Sequence, residues 1–189
     1  MVTSLHGTHP PPAGAAAGAI ATRQRGSVTG MQSIAQAAKD FLSKRRIAVT
    51  GVSRSHPQEH GGNAVYRHLR AAGYEVFAVN PNADEVEGDR CFHDLEEIPR
   101  GVDAVVIATS PTHADETMRR CAELGIRDVW MHRGTGAGSV SATAAAFGRE
   151  HDIRVIDGGC PLMFLPKADP GHRLMLRIGT WTGRVPRQV

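Results

Sequence analysis

The run Arg46-Ile47-Ala48-Val49-Thr50 is rich in β-branched residues and ends in Gly51-Val52-Ser53-Arg54. A polar loop then leads to Gly61-Gly62-Asn63, and a helical pattern opens at Ala64-Val65-Tyr66. A strand, a glycine-bearing loop and a helix N-terminus, in that order, form the geometry that receives phosphate in nucleotide-binding α/β folds. The first N–H groups of a helix have no intrahelical partner, and glycine lets backbone approach an anion closely. The dinucleotide spacing G-x-G-x-x-G is absent after Gly51. An ordinary surface loop after a strand fits the same residues, so both readings stay open at this stage.

The remainder of the chain alternates between the two periodicities. Ile34, Ala37, Ala38, Phe41 and Leu42 recur at helical spacing over residues 33–44, and Val65, Leu69 and Ala72 do so over 63–72, before Gly73. Strands are predicted at 75–79, 90–92, 104–108, 128–131 and 153–156, and further helices at 112–124 and 140–150. The continuous apolar run Ala104-Val105-Val106-Ile107-Ala108 suits a strand covered on both faces. Short loops between alternating elements predict a Rossmann-like, doubly wound parallel sheet in three layers, a single α/β domain with right-handed crossovers. Ligands of such sheets sit beyond the carboxyl ends of the strands. Five polar loops fall there: 51–62, 80–82, 109–112, 132–138 and 158–161.

Bulk properties narrow the class. The chain has 189 residues, 41% hydrophobic and 22% charged, enough for a globular core. A net charge of +3 and 5% aromatic content argue against nucleic acid, because neither a basic stripe nor stacking platforms are available. No apolar run reaches the roughly 20 residues of a membrane span. The dispersed thiols Cys91, Cys121 and Cys160 read as reduced residues of a cytoplasmic protein. Residues 1–30 are poor in bulky apolar side chains and read as a disordered leader, with Met31 an alternative start. Residues 31–166 form the expected domain. Residues 167–189 are a basic tail with Arg173, Arg177, Arg184 and Arg187, expected to run as a strap over the surface. The sharper alternative is a tail that closes over a phosphate or joins a homodimer.

NAD is the default ligand of such a sheet and requires an acidic residue after strand two. Here strand two ends Val79-Asn80-Pro81, which disfavours NAD. The stretch 47–54, the stretch from Tyr66 to Pro81, residues 103–111, Val129-Trp130 with its glycine loop, and Cys160-Pro161 together resemble the small, stand-alone CoA-binding proteins. Their domain is also that of the α subunit of succinyl-CoA synthetase. The resemblance covers about Phe41 to Pro166. It implies coenzyme A, or an acyl-CoA, as the small-molecule partner. Gly51, Val52, Ser53 and Arg54 would lie against the phosphates, with Gly62 and Asn63 adding donors. Val79, Asn80 and Pro81 would line the adenosine side, and Thr109, Ser110 and Pro111 the nucleotide or pantetheine arm. His132, Arg133, Gly134, Cys160 and Pro161 would border the thiol end. Relatives often carry a lysine after the Asn-Pro pair, where this chain has Asn82; Arg54 or Arg133 is the expected substitute cation.

A catalytic set is not apparent in the sequence. Cys160 could be an activated thiol if a helix N-terminus lowered its pKa, or a small apolar residue at a tight turn. His113 and Asp115 read as polar groups at a helix start, and Asp94, Glu96 and Glu97 as an exposed acidic turn. The expectation is a CoA-binding protein without metal or evident catalysis. The alternatives are an enzyme or enzyme subunit of acyl-CoA or CoA-thiol chemistry, and a NAD(P)-binding redox regulator.

Overall fold

A computed structural model describes residues 32–55, 61–134, 138–166 and 170–189 together with Met1. The leader therefore lies outside the described residues. Helix α1 (Ile34–Leu42) is capped by the Ser33 hydroxyl, which accepts from the Gln36 N–H. Strand β1 (Arg46–Thr50) follows, then α2 (Gly61–Ala71) and β2 (Glu75–Val79). A tight hairpin of β3 (Glu85–Val86) and β4 (Asp89–Phe92) precedes β5 (Ala104–Ile107) and α3 (Pro111–Glu123). The chain then forms β6 (Asp128–Met131), α4 (Ala142–Glu150) and β7 (Arg154–Asp157).

The seven strands lie in the order β3-β4-β2-β1-β5-β6-β7, and every pair except β3 with β4 is parallel. Without β3, this is the doubly wound order of the expected fold, and its direction reverses between β1 and β5. Alternate residues of β1 serve the two faces. Ile47 and Val49 join Phe41 of α1 and Val65 and Leu69 of α2 in one core. Ala48 joins Met118 and Cys121 of α3 and Ala144 of α4 in the other. Trp130 of β6 is fully buried, makes an edge contact with Phe41 at 5.3 Å and donates its indole N–H to the Gly158 carbonyl at 2.9 Å.

The tail departs from the expected irregular strap. A short 3₁₀ turn (Pro161–Phe164) and a twelve-residue helix, α5 (Pro170–Trp181), pack on the α1/α2 face through Leu162, Met163, Met175 and Leu176. Val185 is buried over Gly179 and Gly159; a Cβ at Gly179 would collide with it at 2.7 Å, and one at Gly159 would press on it at 3.2 Å. The last residues then run as a strap: Gln32 and Val189 exchange backbone hydrogen bonds, and the Ile34 N–H donates to the Arg187 carbonyl. Leu174, Ile178 and Trp181 of α5 face outward. No helix among the described residues is long and apolar enough to cross a membrane.

Candidate functional site at the carboxyl edge of the sheet

The direction of the sheet reverses at Gly51. This residue has φ +77°, and its N–H donates to the Val79 carbonyl at 3.0 Å. A Cβ here would lie 2.7 Å from the Ala108 carbonyl oxygen and 2.9 Å from the Thr109 nitrogen, so only glycine lets the β1 and β5 loops meet. Gly62 repeats the constraint at the start of α2: its Cβ would stand 3.0 Å from both the Gly51 carbonyl oxygen and the Ala108 Cβ. The N-terminus of α2 is thereby pressed against the switch point with bare backbone.

Two asparagines tie these loops together. Asn63 is fully buried; its Oδ1 accepts from the Ser53 N–H at 2.8 Å and its Nδ2 donates to the Ser53 carbonyl at 2.9 Å. Asn80 donates from Nδ2 to the Val52 carbonyl at 2.8 Å, while its Oδ1 accepts from the Asn82 N–H. Both amides are thus committed to holding the 51–55 loop rather than free at the surface. Ser110 occupies the N-cap position of α3 without a side-chain capping bond, with Pro111 at the first helical position, and its hydroxyl lies 2.8 Å from Nδ1 of His113. His113 belongs to the helix start, as expected. The acidic turn is likewise structural, since Asp94 and Glu96 pair with Arg120.

On the far side, the His132 ring packs under Gly61, where a Cβ would come within 2.6 Å of its Cε1. Burial pushes the His132 pKa down to about 4, so the imidazole is neutral at pH 7. The Arg133 N–H donates to the Gly159 carbonyl at 2.8 Å, which joins the β6 and β7 loops. Two buried polar atoms find no hydrogen-bond partner among the described residues: Thr50 Oγ1 and Arg133 Nε. Thr50 ends β1, and Arg133 lies in the loop two residues past the end of β6. An unmet buried donor is costly, and an anionic ligand is a group that would satisfy it.

The 122-residue stretch 45–166 matches the family described as the CoA binding domain. The chain belongs to this family. An ADP-forming acetate–CoA ligase II from Archaeoglobus fulgidus is 27% identical over 125 residues, which is 62% of this chain and 18% of that protein. The α subunit of a similarly named ligase from Pyrococcus furiosus is 32% identical over 90 residues, 47% of this chain and 19% of the relative. The chain therefore spans less than a fifth of these relatives. Among solved structures, a conserved hypothetical protein from Pyrococcus furiosus superposes with TM-score 0.52 at 28% identity, over 59% of this chain and 90% of its own. A hypothetical protein from Pyrococcus horikoshii gives TM-score 0.62 at 22% identity, over 78% of this chain and 96% of its own, a likeness of fold.

Within this CoA-binding domain the expected site residues divide into two groups. Gly51, Ser53, Gly62, Asn63, Asn80, Thr109, His132, Arg133 and Gly134 meet at the carboxyl edge, with Arg54, Pro81 and Ser110 exposed around it and Pro111 half-buried at the start of α3. Val52, Val79, Cys160 and Pro161 instead point into the core. Burial raises the Cys160 thiol to about 12, which removes the thiolate that an activated nucleophile needs. Cys160 is the small apolar residue of a tight turn. Thr50 and Gly138 lie at the same edge and were not among the residues singled out in the sequence. Gly138 sits at φ +67°, with a Cβ position 2.6 Å from the His132 carbonyl oxygen, and the next residue, Ser139, donates its N–H to that carbonyl at 2.8 Å. The signal for Gly138 was the unusual glycine density of 134–138, without the spacing that would single it out.

Proposed function

We propose that this chain binds coenzyme A, or an acyl-CoA, along the carboxyl edge of its sheet and does so without chemistry of its own. The observation that carries the reading is the close approach of the two glycines, Gly51 against the Ala108 backbone and Gly62 against Gly51 and the Ala108 methyl, at the switch point. It supports the reading because it brings the donor-rich end of α2 to where a pyrophosphate sits in doubly wound folds. Thr50 Oγ1 and Arg133 Nε would then supply polar contacts, with Arg54 at the rim. The buried, neutral His132 fits a wall of the site better than an acid. NAD fits poorly, because the group after strand two is an amide already bonded to Val52 and Asn82.

A second reading is favoured by the relatives themselves. They are named as acetate–CoA ligases, and this chain matches under a fifth of them. On that reading it is the CoA-holding part of a ligase-like assembly whose other parts reside elsewhere. Isothermal titration with CoA, acetyl-CoA and NAD tests the CoA binding that both readings share, and turnover by the chain alone separates a self-sufficient enzyme from both. Saturable binding of CoA, silence from NAD and no turnover of acetyl-CoA by the chain alone are the expected results. NAD binding with no response to CoA would overturn the proposal, and turnover would move the chain to the enzyme reading.

A further inference from the structure

The hairpin tip between β3 and β4 holds a residue that the turn does not favour. Val86 pairs with Asp89, so the loop is Glu87-Gly88, with φ values of 53° and 78°. Two positive φ values suit a two-residue antiparallel turn, and Asn, Asp or Gly occupies its first position at least cost. Glutamate carries the steric penalty of the left-handed region without the local hydrogen bonds that favour the shorter side chains. The turn itself does not account for Glu87.

Its side chain does. The carboxylate, 15% exposed, reaches away from the turn to α2, where Oε1 accepts from Asn63 Nδ2 and from the Arg67 guanidinium, each at 2.7 Å. Arg67 offsets the negative charge that would otherwise stand near an anion site. Asn63 in turn holds both backbone groups of Ser53. A carboxylate is an acceptor only, so it keeps Nδ2 on its own side and leaves Oδ1 aimed at the Ser53 N–H. Asp89, one step beyond the turn, bonds the Tyr66 hydroxyl and Arg70, and so straps the same face of α2.

We propose that Glu87 is a positioning residue for the 51–55 loop, acting through Asn63. The tip of the edge hairpin thus orients backbone at the switch point; the ligand side of this claim rests on the CoA reading above. Glu87→Gly removes the carboxylate while giving the turn the residue its φ prefers, so the hairpin survives. Glu87→Gln keeps an oxygen that accepts from Asn63. Hydrogen exchange of the Ser53 amide is measured first without ligand, and CoA is titrated afterwards. Glu87→Gly is expected to speed Ser53 exchange and weaken CoA about tenfold, the size of one lost charge-assisted hydrogen bond, while Glu87→Gln stays within about threefold of native in both. On an Asn63→Ala background, Glu87→Gly should cost no further affinity. Unchanged Ser53 exchange in Glu87→Gly overturns the proposal. So does faster exchange with unaltered CoA affinity, or a Glu87→Gln variant as impaired as the glycine one. Failure of the native protein to bind CoA would instead refute the functional reading, and Ser53 exchange would then decide the coupling alone.

Discussion

Replacing Gly51 by alanine tests the steric core of the site. The added methyl meets the Ala108 carbonyl carbon and oxygen at 2.8 and 2.7 Å and the Thr109 nitrogen at 2.9 Å, all of them backbone atoms that cannot rotate away. The φ of +77° costs a non-glycine residue about 1–2 kcal/mol, and forcing atoms into a packed site about 1–3 kcal/mol more. The expected loss is about 2–5 kcal/mol, a large part of the roughly 5–15 kcal/mol that stabilises a domain. For a chain of this size that lowers the melting temperature by roughly 4–20 °C. The internal control is Gly73→Ala. Gly73 has φ +89° with nothing within 4 Å of its Cβ position, so it bears the conformational cost alone. Thermal unfolding followed by circular dichroism compares the two. A Gly51→Ala melting temperature no lower than that of Gly73→Ala would refute the argument that β1 and β5 loop contact demands glycine.

Three further predictions follow from the same geometry. His132 takes up its proton near pH 6.5 in the unfolded chain but only near 4 when folded, so its protonation favours unfolding across that window by about 1.4 kcal/mol per pH unit. His132→Asn should flatten this dependence in urea melts at pH 7 and 4.5, and an unchanged slope would contradict the assignment. Burial raises all three thiols, those of Cys121 and Cys160 to about 12, so Ellman's reagent at pH 7.5 should label them only on unfolding. Rapid labelling of Cys160 in the native protein would restore it as a reactive centre. Arg133→Ala and Arg54→Ala should each weaken CoA roughly tenfold or more, the size of a charge-assisted hydrogen bond, and unaltered affinity in both would remove them from the site.

The parts legible in the sequence were those written in short-range patterns. Alternating periods located the six parallel strands and the helices α1–α4 to within a residue or two, because strands covered on both faces are continuous apolar runs. Helix α5 was not legible. Gly171 and Gly179 weaken its helical signal, and the apolar stripe it carries, Leu174, Ile178 and Trp181 at i, i+4 and i+7, faces outward instead of marking a core contact. Gly179 is explained only by Val185, a tertiary neighbour. At the site, the glycines could be read because a close approach admits no other residue. The roles of Asn63, Asn80 and Glu87 could not, since each depends on a partner from a separate element. Asn63 was expected as a backbone donor, and its buried side chain turns out to be a loop staple.

The place of binding is tested by the amide resonances of the ¹⁵N-labelled protein titrated with CoA. Binding at the carboxyl edge places the largest shifts at Gly51, Val52, Ser53, Gly61 and Gly62, with further shifts at Thr109 and Arg133. A cleft of about 280 Å³ at the opposite end of the sheet, lined by Leu42, Lys44, Arg45, Gly73 and Tyr74, offers the built-in contrast. Shifts concentrated at that cleft, or none at the carboxyl edge under saturating CoA, would contradict that placement.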